Sequence, residues 1–96
     1  MVSHCELSYG RAPLRMPIGA MADLAHRYGA QLFVDGIQAV GAVPVDASKI
    51  DYLTVGSHKW LMGLEGCGFL YVHPDRIGAL RPRMAGWLSH EDGIGF

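Results

Sequence analysis

Charge is scarce in this sequence, and sulfur is not in any paired arrangement. Eight Lys/Arg stand against nine Asp/Glu for a net charge of −1 and a pI near 6.5. No field is available to steer nucleic acid or an anionic membrane toward the chain, and neither partner is expected. The two cysteines, Cys5 and Cys67, lie far apart and in no CxxC spacing. That excludes a disulfide framework and makes a reducing compartment the expectation. No apolar run approaches the roughly 18 residues of a membrane span, and Met1 to Glu6 carries neither a basic nor an apolar targeting segment. A cytoplasmic protein is expected. The five histidines, His4, His26, His58, His73 and His90, follow neither HExxH nor paired Cys/His spacing, so no metal is expected. Also missing are a P-loop and a nucleophile elbow. Gly63-Leu64-Glu65-Gly66-Cys67-Gly68 has the order GxxGxG and precedes a strand, which rejects a Rossmann fingerprint.

What is present is apolar. Half of the 96 residues are hydrophobic and 18% are charged, far from the composition of a disordered chain. The length allows one small domain. Thirteen glycines are roughly twice average usage without a repeat, and they mark tight turns and close backbone approaches. So many are a burden for so short a domain, since each costs chain entropy on folding. A piece of a larger fold is the expectation.

Val2 to Cys5 reads as the end of a strand, followed by a turn from Ser8 to Arg11. Ile18, Met21, Ala22, Leu24, Ala25 and Tyr28 recur at helical spacing, with Pro17 suited to a first turn and Gly29 to a C′ stop. A helix over 17–28 is predicted. Gln31 to Asp35 is a short apolar run ending in an acid, the pattern of a buried parallel strand whose C-terminal end carries function. Gly36 to Gly41 reads as a turn or short helix, Val43 to Asp46 as a connector because of Pro44, and Ala47 to Ile50 as one helical turn. Tyr52 to Val55 is a second strand leading into Gly56-Ser57-His58-Lys59-Trp60. Phe69 to Val72 is predicted as a third buried strand, and Pro74 to Leu80 as a helix. Such alternation argues for an α/β layer with a mostly parallel sheet and flanking helices, although the short second connection allows an antiparallel last pair.

Lys59 follows a β-run among small residues. In a low-dielectric site beside other positive charge its amine would be freed to attack a carbonyl and form a Schiff base; otherwise it is a solvated loop lysine. Asp35 at a strand end needs a cationic partner, such as a protonated pyridine nitrogen, or serves as a turn residue ahead of Gly36. Gln38, three residues on, would project on the same side if the chain turns helically, or cap backbone. Ser57 and His58 supply donors for a phosphate or for ordinary loop hydrogen bonds.

Val34-Asp35-Gly36-Ile37-Gln38-Ala39, Asp51-Tyr52-Leu53, Gly56-Ser57-His58-Lys59-Trp60, the Gly63 to Gly68 loop and Phe69-Leu70-Tyr71-Val72 together resemble the class V aminotransferase family, fold-type I enzymes that use pyridoxal 5′-phosphate (PLP). The Gln38 and His58-Lys59 combination looks more like its cysteine desulfurase, selenocysteine lyase and isopenicillin N epimerase branch. The resemblance implies that Lys59 carries the Schiff base and moves the proton at the substrate α-carbon. It also implies that Asp35 pairs with the pyridinium nitrogen, Gln38 contacts the phenolic oxygen, and His58 with Ser57 helps bind phosphate. Position 56 is glycine where the family often has a phosphate-contacting serine, Leu64 stands where it has proline, and the Glu6 to Gly10 stretch lacks the asparagine of desulfurases.

The resemblance further implies that residues 1–96 are part of the PLP-binding large domain, cut at both ends and incomplete for catalysis alone. The full-length protein would be a homodimeric transferase or lyase acting on an amino acid. The competing expectation is an inactive remnant or assembly fragment that binds no cofactor. An incomplete α/β sheet would leave apolar faces and edges exposed.

Overall fold

The structure is a computed structural model, and it describes residues 2–4, 15–86 and 89. Six elements follow one another along the chain: β1 (Val2–His4), α1 (Ile18–Arg27), β2 (Phe33–Asp35), β3 (Tyr52–Gly56), β4 (Gly68–Val72) and α2 (Pro74–Ile77). The strands form a single sheet in the order β1-β2-β3-β4. β1 pairs with β2 and β2 with β3 in parallel, and β3 pairs with β4 antiparallel. The α/β class expected from the alternating pattern is therefore observed, with two parallel pairs and, of the two arrangements left open for the last pair, the antiparallel one.

Helix α1 forms where the apolar spacing predicts, with Pro17 and Tyr28 serving as its caps. Its end is a Schellman arrangement: Ala30 N–H donates to Ala25 C=O and Gly29 N–H to His26 C=O, at 2.9 and 3.0 Å. Gly29 takes the left-handed conformation at φ +70°, as this stop requires. Ala22 and Ala25 are buried, and Ile18 and Met21 pack beside them. Leu24 and Tyr28 of the same periodic set stay exposed.

The helix covers one face of the sheet. Val34, Leu53 and Val55 alternate along β2 and β3 and join Ala22, Ala25, Leu32 and Ile50 in one buried cluster, as period-2 alternation requires of a strand with one covered face. Phe33 and Tyr52 are register partners, and their rings stack with centroids 6.3 Å apart. Two expectations need correction. β4 is not a buried strand: Phe69 and Leu70 are about half exposed, because β4 is the sheet edge and, among the described residues, only Tyr71 of this strand packs against the core. α2 also stops at Ile77, ahead of Leu80. The expected turn at Ser8 to Arg11 and most of the tail lie outside the described residues. No helix among the described residues is long and apolar enough to cross a membrane.

The elements are tied together at the N-terminal edge of β2 and β3 by Asp51, which is 4% exposed. Its carboxylate accepts Leu32 N–H at 2.6 Å and His26 Nε2–H at 2.8 Å on one oxygen, and Arg76 Nε–H at 2.7 Å on the other. One side chain thus joins α1, the start of β2, the start of β3 and α2. Burial by itself would raise its pKa, but the Leu32 amide, the His26 ring and the Arg76 guanidinium outweigh burial and hold it at about 2. A carboxyl held below its ordinary value stabilises the fold fully above about pH 4, and that stabilisation is lost as pH falls through about 2.

Asp51→Asn is therefore expected to cost roughly 1–3 kcal/mol at pH 7 by chemical denaturation, since buried donors lose a charged acceptor. The gap between wild type and variant should narrow as pH is lowered from about 4 to about 2. A gap that does not change over that range would contradict the role given to the charge.

Candidate functional site

Parallel pairing brings the C-terminal ends of β2 and β3 side by side, with Asp35 opposite Thr54 in register. Each strand then hands its chain to a turn on the same sheet edge, where side chains from separate loops can converge on one ligand. After β2, Gly36 C=O accepts from Ala39 and Val40 N–H, closing a short helical turn. Asp35 Oδ1 accepts Ile37 N–H at 3.1 Å, so this half-buried acid does cap the turn ahead of Gly36. Gln38 lies within that turn and is 8% exposed, so it is not a solvent-facing glutamine.

After β3 the chain runs through Ser57, His58 and Lys59. The His58 ring folds back over Gly56: a Cβ there would sit 3.2 Å from His58 Cε1 and 2.8 Å from Ile37 Cδ1. Ile37 therefore bridges the two turns, and the residues singled out in the sequence around Asp35 and around Lys59 meet at one edge. His58 and Lys59 are both exposed. The low-dielectric surroundings expected for Lys59 are thus not supplied by the described residues, which leave its side chain exposed.

Of the two roles open to Ser57, the hydrogen bonds observed are those of the loop. Its Oγ–H donates to Leu64 C=O at 2.7 Å, its N–H donates to Cys67 C=O, and its C=O accepts Gly63 N–H at 2.7 Å. Both of its donors are engaged in closing the loop between β3 and β4. Sequence reading misses this latch, and the signal for it is spacing: a serine at the start of a loop that returns through glycines to an antiparallel strand.

A recess of about 380 Å³ between the first turn of α1 and the 43–49 connector reaches Gly36 and Ala39 on the other side of the turn after β2. It includes none of Gln38, His58 or Lys59. Its charged groups are engaged at its rim: Arg15 donates to Pro44 C=O, Lys49 to Asp23, and Asp46 accepts Ser48 N–H. The strand-end turns are the better candidate, because two adjoining segments carry an acid, an amide, an imidazole and an amine between them.

The family model described as aminotransferase class-V matches residues 3–89. The chain belongs to the aminotransferase class-V family. Among its class-V relatives, an uncharacterized aminotransferase of Bacillus subtilis, YcbU, is 38% identical over 80% of this chain and 21% of its own length. The isopenicillin N epimerase of Amycolatopsis lactamdurans is 37% identical over 95% of this chain and 23% of its own. A cysteine desulfurase from Thermococcus onnurineus NA1 superposes with a TM-score of 0.73, covering 88% of this chain and 22% of that one at 24% identity. That likeness shows the fold. The class-V chain thus spans between a fifth and a quarter of the length of these relatives.

Replacing Ser57 by alanine should cost roughly 0.5–1.5 kcal/mol by chemical denaturation and leave covalent labelling of Lys59 by PLP within twofold of wild type. A large fall in labelling without loss of stability would return Ser57 to the phosphate role.

Proposed function

We propose that this class-V chain carries the PLP-binding edge of an enzyme that acts on amino acids. The observation behind this reading is the parallel β2–β3 pair, whose Ile37–Gly56 contact sets the turn that carries Asp35 and Gln38 against the start of the loop that carries His58 and Lys59. The donor set suits PLP chemically: a carboxylate for a cationic ring nitrogen, an amide for the phenolic oxygen, an imidazole for phosphate and a primary amine for the aldehyde. When bound, PLP supplies an electron sink for negative charge developing at an amino acid's α-carbon. In this reading Asp35 would be the carboxylate that keeps the ring nitrogen protonated, and the hydrogen bond it accepts from Ile37 N–H would orient it. Gln38, buried in the adjoining turn, orients rather than ionises. His58 would offer a donor toward phosphate, and Lys59 would be the amine that holds the group and, once displaced from it by the substrate's amine, the base for the α-proton. The choice between transferase and lyase chemistry, the homodimer and the cytoplasmic location belong to this proposal as properties of the whole protein.

A second reading, in which the chain binds no cofactor, is favoured by the exposure of His58 and Lys59. One experiment separates the two. Purified protein mixed with PLP should develop a visible absorbance band, and borohydride reduction followed by peptide mapping should place the label on Lys59. Lys59→Ala should abolish both signals. No band, or a label on another lysine, would falsify the assignment and support the second reading.

A further inference from the structure

Gly41 closes the turn that follows Asp35 and Gln38, and it sits against the backbone of the loop that carries Lys59. Its φ is +92°, and a Cβ placed there would lie 2.9 Å from both the carbonyl carbon and oxygen of Trp60 and 3.1 Å from Leu61 N. Those atoms form one peptide unit and cannot rotate aside as a side-chain tip would. The same peptide is the centre of a tight turn in which Lys59 C=O accepts Met62 N–H at 3.0 Å, with Met62 in the left-handed region at φ +53°. Downstream, the loop is fixed by Gly63 N–H on Ser57 C=O and by Ser57 Oγ–H on Leu64 C=O. A push on the 60–61 peptide therefore has little room to be absorbed beyond Met62, and it is passed back to Lys59.

We infer that Gly41 is a positioning residue for Lys59: its bare Cα lets the Asp35–Gln38 turn seat directly on the Trp60–Leu61 peptide, and this contact sets where the amine stands relative to the acid and amide. The inference extends the proposed PLP reading and rests on it for its chemical consequence, but the contact itself can be tested without PLP. A built-in comparison exists in Gly29, which also has a positive φ, +70°, but where an added Cβ would meet nothing within 4 Å. Alanine at either position carries the strain of a left-handed residue. Only at position 41 does it also strike the Lys59 loop.

The experiment compares Gly41→Ala, Gly41→Asn and Gly29→Ala in the full chain. Asparagine tolerates the left-handed region better than alanine but brings the same Cβ, so it tests the steric push where alanine compromises folding. Backbone amide resonances of Lys59 to Met62 should shift in both position-41 variants and stay in place in Gly29→Ala. Trapping of Lys59 by PLP and borohydride should slow roughly tenfold or more in the position-41 variants, the scale expected of a displacement near 1 Å, and remain within twofold in Gly29→Ala. Unshifted 59–62 resonances in Gly41→Asn overturn the inference, as does equal slowing by Gly29→Ala. If wild-type protein takes no PLP label, the PLP reading fails on its own, and the resonance comparison still decides whether Gly41 sets the loop.

Discussion

The Asp51 carboxylate is the point on which the arrangement of this small sheet depends. Two parallel strands cannot share a hairpin, so β2 and β3 must be brought into register by something other than their connection. Leu32 N–H and Asp51 are the last groups before each strand begins, and their hydrogen bond sets the starts of both strands level. His26 from the last turn of α1 and Arg76 from α2 complete the same carboxylate, so helix placement and strand register are fixed by one charge. The far edge follows from this register: Asp35 ends β2 opposite Thr54, and β3 runs two residues further to Gly56 before the Ser57–Lys59 segment begins.

The sheet therefore has two edges with different work. Where β2 and β3 begin, polar groups are matched to one another inside the protein. Where they end, the turn after β2 lies against the loop after β3, with Ile37 at Gly56 and Gly41 at the Trp60–Leu61 peptide. The apolar layer between α1 and the β2–β3 pair separates these edges. It is built from small and branched side chains such as Ala22, Ala25, Val34 and Val55, which let the helix lie close to the sheet.

Much of this is legible in the residues. The helix announces itself by spacing and by Gly29, and β2 and β3 by short apolar runs ending at Asp35 and Gly56, because local periodicity and backbone preference agree with the fold there. The convergence of Asp35, Gln38, His58 and Lys59 is legible only through their order along the chain, since contact between turns about 20 residues apart is a property of parallel pairing. β4 reads as buried because an apolar run looks the same whether it lies inside a sheet or on its edge. The Ser57 latch is not legible because a hydroxyl's partner is chosen by loop closure, and Asp51, legible only as part of a motif, does not show its structural role because its three partners come from three separate segments.

The antiparallel return of β4 has a consequence for how such a site can change over generations. Gly56 and Gly68 face each other across the β3–β4 ladder, so the segment between them begins and ends at one rung. Residues can be gained, lost or exchanged within 57–67 without sliding either strand past the other, and hence without turning a buried face outward. Change in the part of the protein that presents Lys59 is then limited by the Ser57 latch and the Gly41 seat, while the strands beneath stay in place.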